Sequence, residues 1–205
     1  MRLELRNDPL TLTLYGTAAA QDKNKSMSNQ VMEAIRQTWA AVGEMGLTTT
    51  GINYVAYEQD QVLFAGVDLT SPQPEQSTLT KREYHAAQYA YYKHIGPYHQ
   101  LPDVHHQIQS DLRSAEHPFV SPTIEVYGHW NEDETKLETE IYYPLLTALT
   151  CPICAQTNKC DLTASEGCWC TREIFPQAIF ELVDDRKKGK ACICKECLDQ
   201  FKRNV

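Results

Sequence analysis

Residues 88–97 read Gln88-Tyr89-Ala90-Tyr91-Tyr92-Lys93-His94-Ile95-Gly96-Pro97, and this stretch decides the fold. A run rich in tyrosine and closed by isoleucine reads as a strand, and Gly96-Pro97 turns the chain out of it. Beyond the turn the period changes. Leu101, Val104, Ile108 and Leu112 recur every three or four residues, which predicts a helix from about Leu101 to Ala115. Two strands follow, Thr123–Trp130 and Lys136–Tyr143, ending at Pro144. The same order precedes this unit. Leu10–Ala18 alternates with period two and reads as a strand. A helix is expected from Ser28, as N-cap, to Gly46, as stop, with Met32, Ile35, Trp39 and Val42 as its apolar stripe. Strands Ile52–Glu58 and Val62–Leu69 close this first unit, and a polar connector from Thr70 to Thr80, with Pro72 and Pro74, joins the two. The expected fold class is α+β. Two pseudo-symmetric strand-helix-strand-strand repeats place their helices on one face of a sheet, and a small C-terminal cysteine-rich module follows.

The chain has 205 residues, 42% hydrophobic and 22% charged, enough for one domain with a small appendage. It has no apolar run long enough to span a membrane. Met1–Arg6 forms no hydrophobic leader, so a cytoplasmic protein is expected. The net charge of −8 opposes broad nucleic-acid binding and favours cationic partners. Residue types divide sharply along the chain. All eight cysteines lie between Cys151 and Cys197, and all seven histidines and eleven tyrosines precede residue 151. From residue 151 onward, 9 Lys and Arg face 8 Asp and Glu, whereas 10 face 19 before it. A boundary near Thr150 therefore divides a first domain, 1–148, from a cysteine-rich module, 149–205.

The cysteines are Cys151, Cys154, Cys160, Cys168, Cys170, Cys192, Cys194 and Cys197, with C-x-x-C at both ends of the set. Such spacing lets two thiolates converge on one ion, and eight thiolates complete two tetrahedral zinc sites. No histidine lies nearby. Disulfides would need an oxidising compartment, an iron–sulfur cluster also takes four thiolates, and one zinc with spare thiols is the main competing count. The segment has few bulky apolar residues, so metal is expected to stabilise it. A helix is expected over about Arg172–Asp184, before the basic turn Arg186–Lys190. Cys-Pro-x-Cys at 151–154, the lone Cys160, Cys168-Trp169-Cys170 and Cys192-x-Cys194-x-x-Cys197-Leu198 resemble the cysteine-rich CWC family over roughly residues 150–203. That resemblance implies a metal-binding module without a known activity.

Strand alternation also sorts the last two strands before the cysteines. Leu137, Thr139, Ile141 and Tyr143 share one face of their strand, and Ile124, Val126 and Trp130 share one face of theirs. If both sets lie under the helices, Glu125, Tyr127, His129, Glu138, Glu140 and Tyr142 collect on an open face. Tyrosine rings and a carboxylate there would suit a cation; a solvated sheet face is the plain alternative. His105-His106 read as outward-facing polar cover, His94 as a strand-end residue, and Trp39 as core.

Tyr91-Tyr92-Lys93-His94-Ile95-Gly96-Pro97-Tyr98, Thr123-Ile124-Glu125-Val126-Tyr127 and Thr139-Glu140-Ile141-Tyr142-Tyr143-Pro144-Leu145 are similar to the GyrI-like small-molecule-binding domain, the effector-binding domain of multidrug regulators. The resemblance covers roughly residues 3–147. It implies a carboxylate in an aromatic cavity for lipophilic, often cationic and aromatic compounds. By motif position Glu140 is that carboxylate, with Tyr142, Tyr127, Glu125 and Tyr91 around it. No helix-turn-helix accompanies the domain, so direct DNA binding is not expected. Two alternatives stay open. One is hydrolysis of reactive cyclopropane-bearing natural products, with a groove glutamate activating water. The other is action on a macromolecular target such as DNA gyrase, with the zinc module offering a protein-partner surface.

Overall fold

The computed structural model describes residues 2–70, 78–161 and 167–204, so residues 71–77 of the expected connector lie outside the described residues. The chain divides into two compact units, Met1–Asp111 with Ser121–Pro144, and Leu112–Val120 with Leu145–Val205. No helix among the described residues is long and apolar enough to cross a membrane.

The first unit is an eight-stranded antiparallel sheet. Its strands are β1 (Glu4–Arg6), β2 (Leu10–Ala20), β3 (Asn53–Tyr57), β4 (Val62–Val67), β5 (Thr80–Ala86), β6 (Tyr89–Ile95), β7 (Thr123–Tyr127) and β8 (Glu138–Pro144). Helix α1 (Met27–Glu44) joins β2 to β3, and α2 (Leu101–Ser114) lies between β6 and β7. The sheet order is β1-β6-β8-β7-β3-β4-β2-β5. Read from its centre, this order is symmetric. β3 and β7 pair at the middle with Val55 opposite Glu125. Outward from them, β4 then β2 mirror β8 then β6, and each short leading strand crosses to the other half, β1 onto β6 and β5 onto β2. Alternation and helical period therefore predict both repeats, while β1 and β5 go unanticipated. A three-residue strand and the charged run Thr80-Lys81-Arg82-Glu83 leave little hydrophobic pattern to read.

The helices follow from their caps and stripes. Ser26, not Ser28, caps α1, its hydroxyl accepting from the Asn29 N–H. Gly46 ends the helix at φ +63, and Leu47 N–H returns to Val42 O. In the second repeat Glu116, at φ +57, does the same, with His117 N–H returning to Leu112 O. Seventy residues separate each of these pairs, as they separate Val55 from Glu125. Three positions of the α1 stripe lie one residue earlier than expected: Val31, Ala34 and Thr38 are buried, together with Val42 as expected, and Met32 is half exposed. Thr38 is tolerated there because its hydroxyl donates to Ala65 O. Trp39 sits half-buried and donates to Asn53 Oδ1 at 2.6 Å. Two apolar clusters lie on opposite faces of the sheet. Val31, Ala34, Val55, Leu63 and Ala65 pack under α1; Leu14, Ala56, Phe64, Tyr84 and Ile124 pack on the far face.

The second unit is built on a small core of Cys151, Ile179, Val183, Ile193, Cys194 and Leu198. The helix expected over 172–184 does not form. Two 3-10 turns, Trp169–Arg172 and Gln177–Leu182, stand in its place, and helix α3 spans Lys195–Arg203. Pro176 explains the break: it lacks an N–H and drives the preceding residue out of the helical region. Buried Asn158 ties the unit together. Its Nδ2 donates to Ala148 O and Cys192 O, its Oδ1 accepts from Cys160 N–H, and its carbonyl accepts from Trp169 Nε1.

Candidate functional site

The register of β7 on β8 divides the tyrosine and glutamate residues expected on one face. Ile124 pairs with Tyr142, Glu125 with Ile141, Val126 with Glu140 and Tyr127 with Thr139. Paired residues share a face, so Glu125 and Tyr127 lie on the helix side while Glu140 and Tyr142 lie on the far side. The expectation of a single groove holding all of them is corrected: there are two glutamate–tyrosine sites, back to back across the sheet.

On the far face, β6 presents Tyr91 beside Tyr142 of β8. Both oxygens of Glu140 accept phenolic hydrogen bonds, from Tyr91 at 2.9 Å and Tyr142 at 2.5 Å. The two rings meet edge-on with centroids 5.4 Å apart, and Tyr89 packs on Tyr142 at 5.6 Å. Burial and Glu140 push the Tyr91 hydroxyl up to about 12 and the Tyr142 hydroxyl higher, so both stay protonated donors. Lys93 pairs with Glu140 in the ladder but its ammonium goes to Glu138 at 2.7 Å. Among the described residues, no cation forms an ion pair with Glu140. Arg6 lies over the Tyr91 ring at 3.8 Å while its guanidinium holds Glu4. Glu138 is exposed, outside this arrangement.

On the helix side Glu125 is only 2% exposed. Tyr57 and Tyr127, which match each other across the pseudo-twofold axis, donate to its Oε2 at 2.6 and 2.7 Å. His105 Nε2 lies 2.7 Å from Oε1, so His105 is not the outward polar cover expected from sequence. Its Nδ1 meets the Tyr143 hydroxyl at 2.7 Å, which also accepts from Gln109. Burial alone would raise the Glu125 pKa; the hydrogen bonds from His105, Tyr57 and Tyr127 outweigh it and hold the carboxyl below its usual range. The same seventy-residue shift places Ile35 at His105 and Val55 at Glu125. One repeat thus has an apolar pair where the other has a buried acid and imidazole. Aligning the repeats exposes this asymmetry in the sequence; alternation alone does not.

The cysteines form two clusters. The sulfurs of Cys151, Cys154, Cys194 and Cys197 lie within 4.8 Å of one another, as do those of Cys160, Cys168 and Cys170. Cys192 stands 3.7 Å from Cys160. The C-x-x-C pairs at the two ends of the segment meet because Cys194 caps α3, its sulfur accepting from Cys197 N–H, while Cys151 Sγ accepts from Cys194 N–H. A tetrahedral zinc with Zn–S near 2.3 Å requires sulfurs about 3.8 Å apart. The separations are 4.0 Å for Cys151–Cys197, 3.6 Å for Cys154–Cys194, and 3.5 Å for Cys160–Cys168. Both clusters therefore have the dimensions of a metal site. A hydrogen bond from Cys154, with backbone donors, lowers the Cys151 thiol to about 5, whereas burial and the charge of Cys151 push Cys197 up to about 12.

Residues 151–199 match the family model described as Cysteine-rich CWC. No curated protein matches the chain. Among solved structures, that of SAV2435 bound to tetraphenylphosphonium is 14% identical with a TM-score of 0.54, covering 71% of this chain and 94% of its own. The EcmrR C-terminal domain is 17% identical with a TM-score of 0.58, at 71% and 97% coverage. An EcmrR–DNA complex gives 14%, 0.54, and 70% of this chain but 57% of that one. The first unit shares the α+β fold of these structures.

Proposed function

We propose that this chain binds small lipophilic cations, recognised at Glu140 and its tyrosines on the far face of the sheet. One observation carries the reading: Glu140 is half-buried among aromatic rings, both of its oxygens are fixed by tyrosine hydroxyls, and among the described residues no cation forms an ion pair with it. A carboxylate so placed attracts a desolvated cation, and each ring face adds about 0.5–2 kcal/mol. The tetraphenylphosphonium bound to SAV2435 is such a cation and supplies the probe. Thermal shift of the full chain with tetraphenylphosphonium is expected to show stabilisation, lost in Glu140→Gln and kept in Glu125→Gln.

The buried His105–Glu125 pair favours a second reading, in which a ligand cation takes the place of His105 between Tyr57 and Tyr127. The thermal-shift experiment separates the two, because Glu125→Gln would then be the variant that loses binding. Turnover of an electrophilic compound, abolished by Glu140→Gln, would instead make the site hydrolytic.

The second unit is read as a two-zinc module. Cys151, Cys154, Cys194 and Cys197 would hold one ion; Cys160, Cys168, Cys170 and Cys192 would hold the other. Full thiolate coordination leaves no open position for water, so these ions would act as structural cross-links, contributing folding free energy on the order of 10 kcal/mol. Two equivalents of zinc per purified chain, by elemental analysis, is the expected result.

A further inference from the structure

The second unit carries a groove beside the second cysteine cluster, with Cys170 and Cys192 at its border. It encloses about 450 Å³ between Phe175, Phe180, Val183 and Ile193, with Lys187 and Lys188 also lining it. That volume is typical of small-ligand sites, which span roughly 300–1,000 Å³. The aromatic wall is only partly used by the protein's own core. Phe175 and Phe180 meet at 6.3 Å between centroids, and Phe180 keeps 40% of its surface exposed.

The two lysines differ. Lys188 is committed to Asp185 at 2.6 Å. Lys187 is half-buried and, among the described residues, has no carboxylate within ion-pair distance. Its near neighbour Asp184 is engaged by the Arg186 guanidinium through two hydrogen bonds of 2.9 and 2.7 Å. Burial lowers the Lys187 ammonium from its usual range. A cation withdrawn from water beside an apolar wall is unfavourable unless an anion meets it.

The geometry points to a binding site for an amphipathic monoanion: one carboxylate held by Lys187, and an aliphatic or aromatic body of about 8–12 carbons against Phe175, Phe180, Val183 and Ile193. The competing role for Lys187 is to balance the charge of Cys170 and Cys192, which also border the groove.

Calorimetric titration of the zinc-loaded full chain tests the proposal, with octanoate and 2-naphthoate as probes and octan-1-ol as the uncharged comparator. At least one carboxylate is expected to bind tenfold or more tightly than octanol. Lys187→Met should abolish that preference, leave octanol affinity unchanged and leave zinc content intact, and Lys187→Gln should repeat the result. Phe180→Ala should weaken all bound probes. Preference for octanoate marks an aliphatic acid, and preference for naphthoate an aromatic one. The proposal is overturned if no carboxylate binds, if octanol binds equally well, or if the Lys187 variants lose zinc while carboxylate affinity stays the same.

Discussion

Replacing Glu125 by Val, the residue its repeat partner carries, gives a stability prediction with a built-in reversal. Glu125 is 2% exposed and accepts from Tyr57 and Tyr127, with His105 as its third partner. Removing the carboxylate leaves three buried hydrogen-bonding groups without their partner, at about 1–3 kcal/mol each. Glu125→Val should therefore destabilise the first unit by about 4 kcal/mol. Adding His105→Ile copies the apolar pair of the first repeat and relieves the stranded imidazole. Two phenol hydroxyls would still lack an acceptor, at about 1–3 kcal/mol each. Adding Tyr57→Phe and Tyr127→Phe removes that cost too, and the quadruple variant should return to within about 1 kcal/mol of the parent. Urea unfolding followed by circular dichroism measures the series. A Glu125→Val cost below about 1 kcal/mol, or a stepwise loss of stability across the series, would refute the reasoning. Recovery would mean that the polar pair is not kept for stability.

Acid should act through the same group. The folded-state pKa of Glu125 is lowered, so the unfolded chain binds its proton more readily, and the stability this group contributes is present above the unfolded value, about 4.3. It is lost as pH falls through the lower folded value, and the quadruple variant should lack this component of the acid transition in a pH series of urea midpoints. Gly16→Ala should cost about 2–3 kcal/mol or more by thermal unfolding, since an added Cβ would meet Ala65 O at 1.9 Å and Gly66 Cα at 2.5 Å, both backbone atoms. Chelation of zinc should make residues 145–204 protease-sensitive while the first unit keeps its circular dichroism; unchanged protease resistance after verified metal loss would contradict the structural role. Cys170→Ser should lower zinc content by one equivalent and leave the Cys151–Cys197 cluster loaded, as elemental analysis would show.

The sequence makes the two repeats legible because their strands alternate and their helices keep a 3.6-residue period over long runs. It places every cysteine correctly in one segment. It also misleads at definite points. Alternation states which residues of one strand share a face, but not which face of the next strand they join; only the register, Val126 opposite Glu140, sets that. Grouping Glu125 with Glu140 by the absence of aliphatic neighbours therefore fails. The true faces mix aliphatic and polar residues, as Ile141 beside Glu125 shows. His105 looks like polar cover because an imidazole on a helix is usually solvated; its role emerges only when Glu125 is found beneath it. Pro176, which lacks an N–H, stands inside the span expected to be helical and breaks it.

Calorimetry with tetraphenylphosphonium and its uncharged relative triphenylphosphine oxide tests the central claim most directly. The parent chain should bind the cation at least tenfold more tightly, about 1.4 kcal/mol, and Glu140→Gln should erase that preference while the neutral compound binds as before. A preference for the cation that survives in Glu140→Gln would contradict the account.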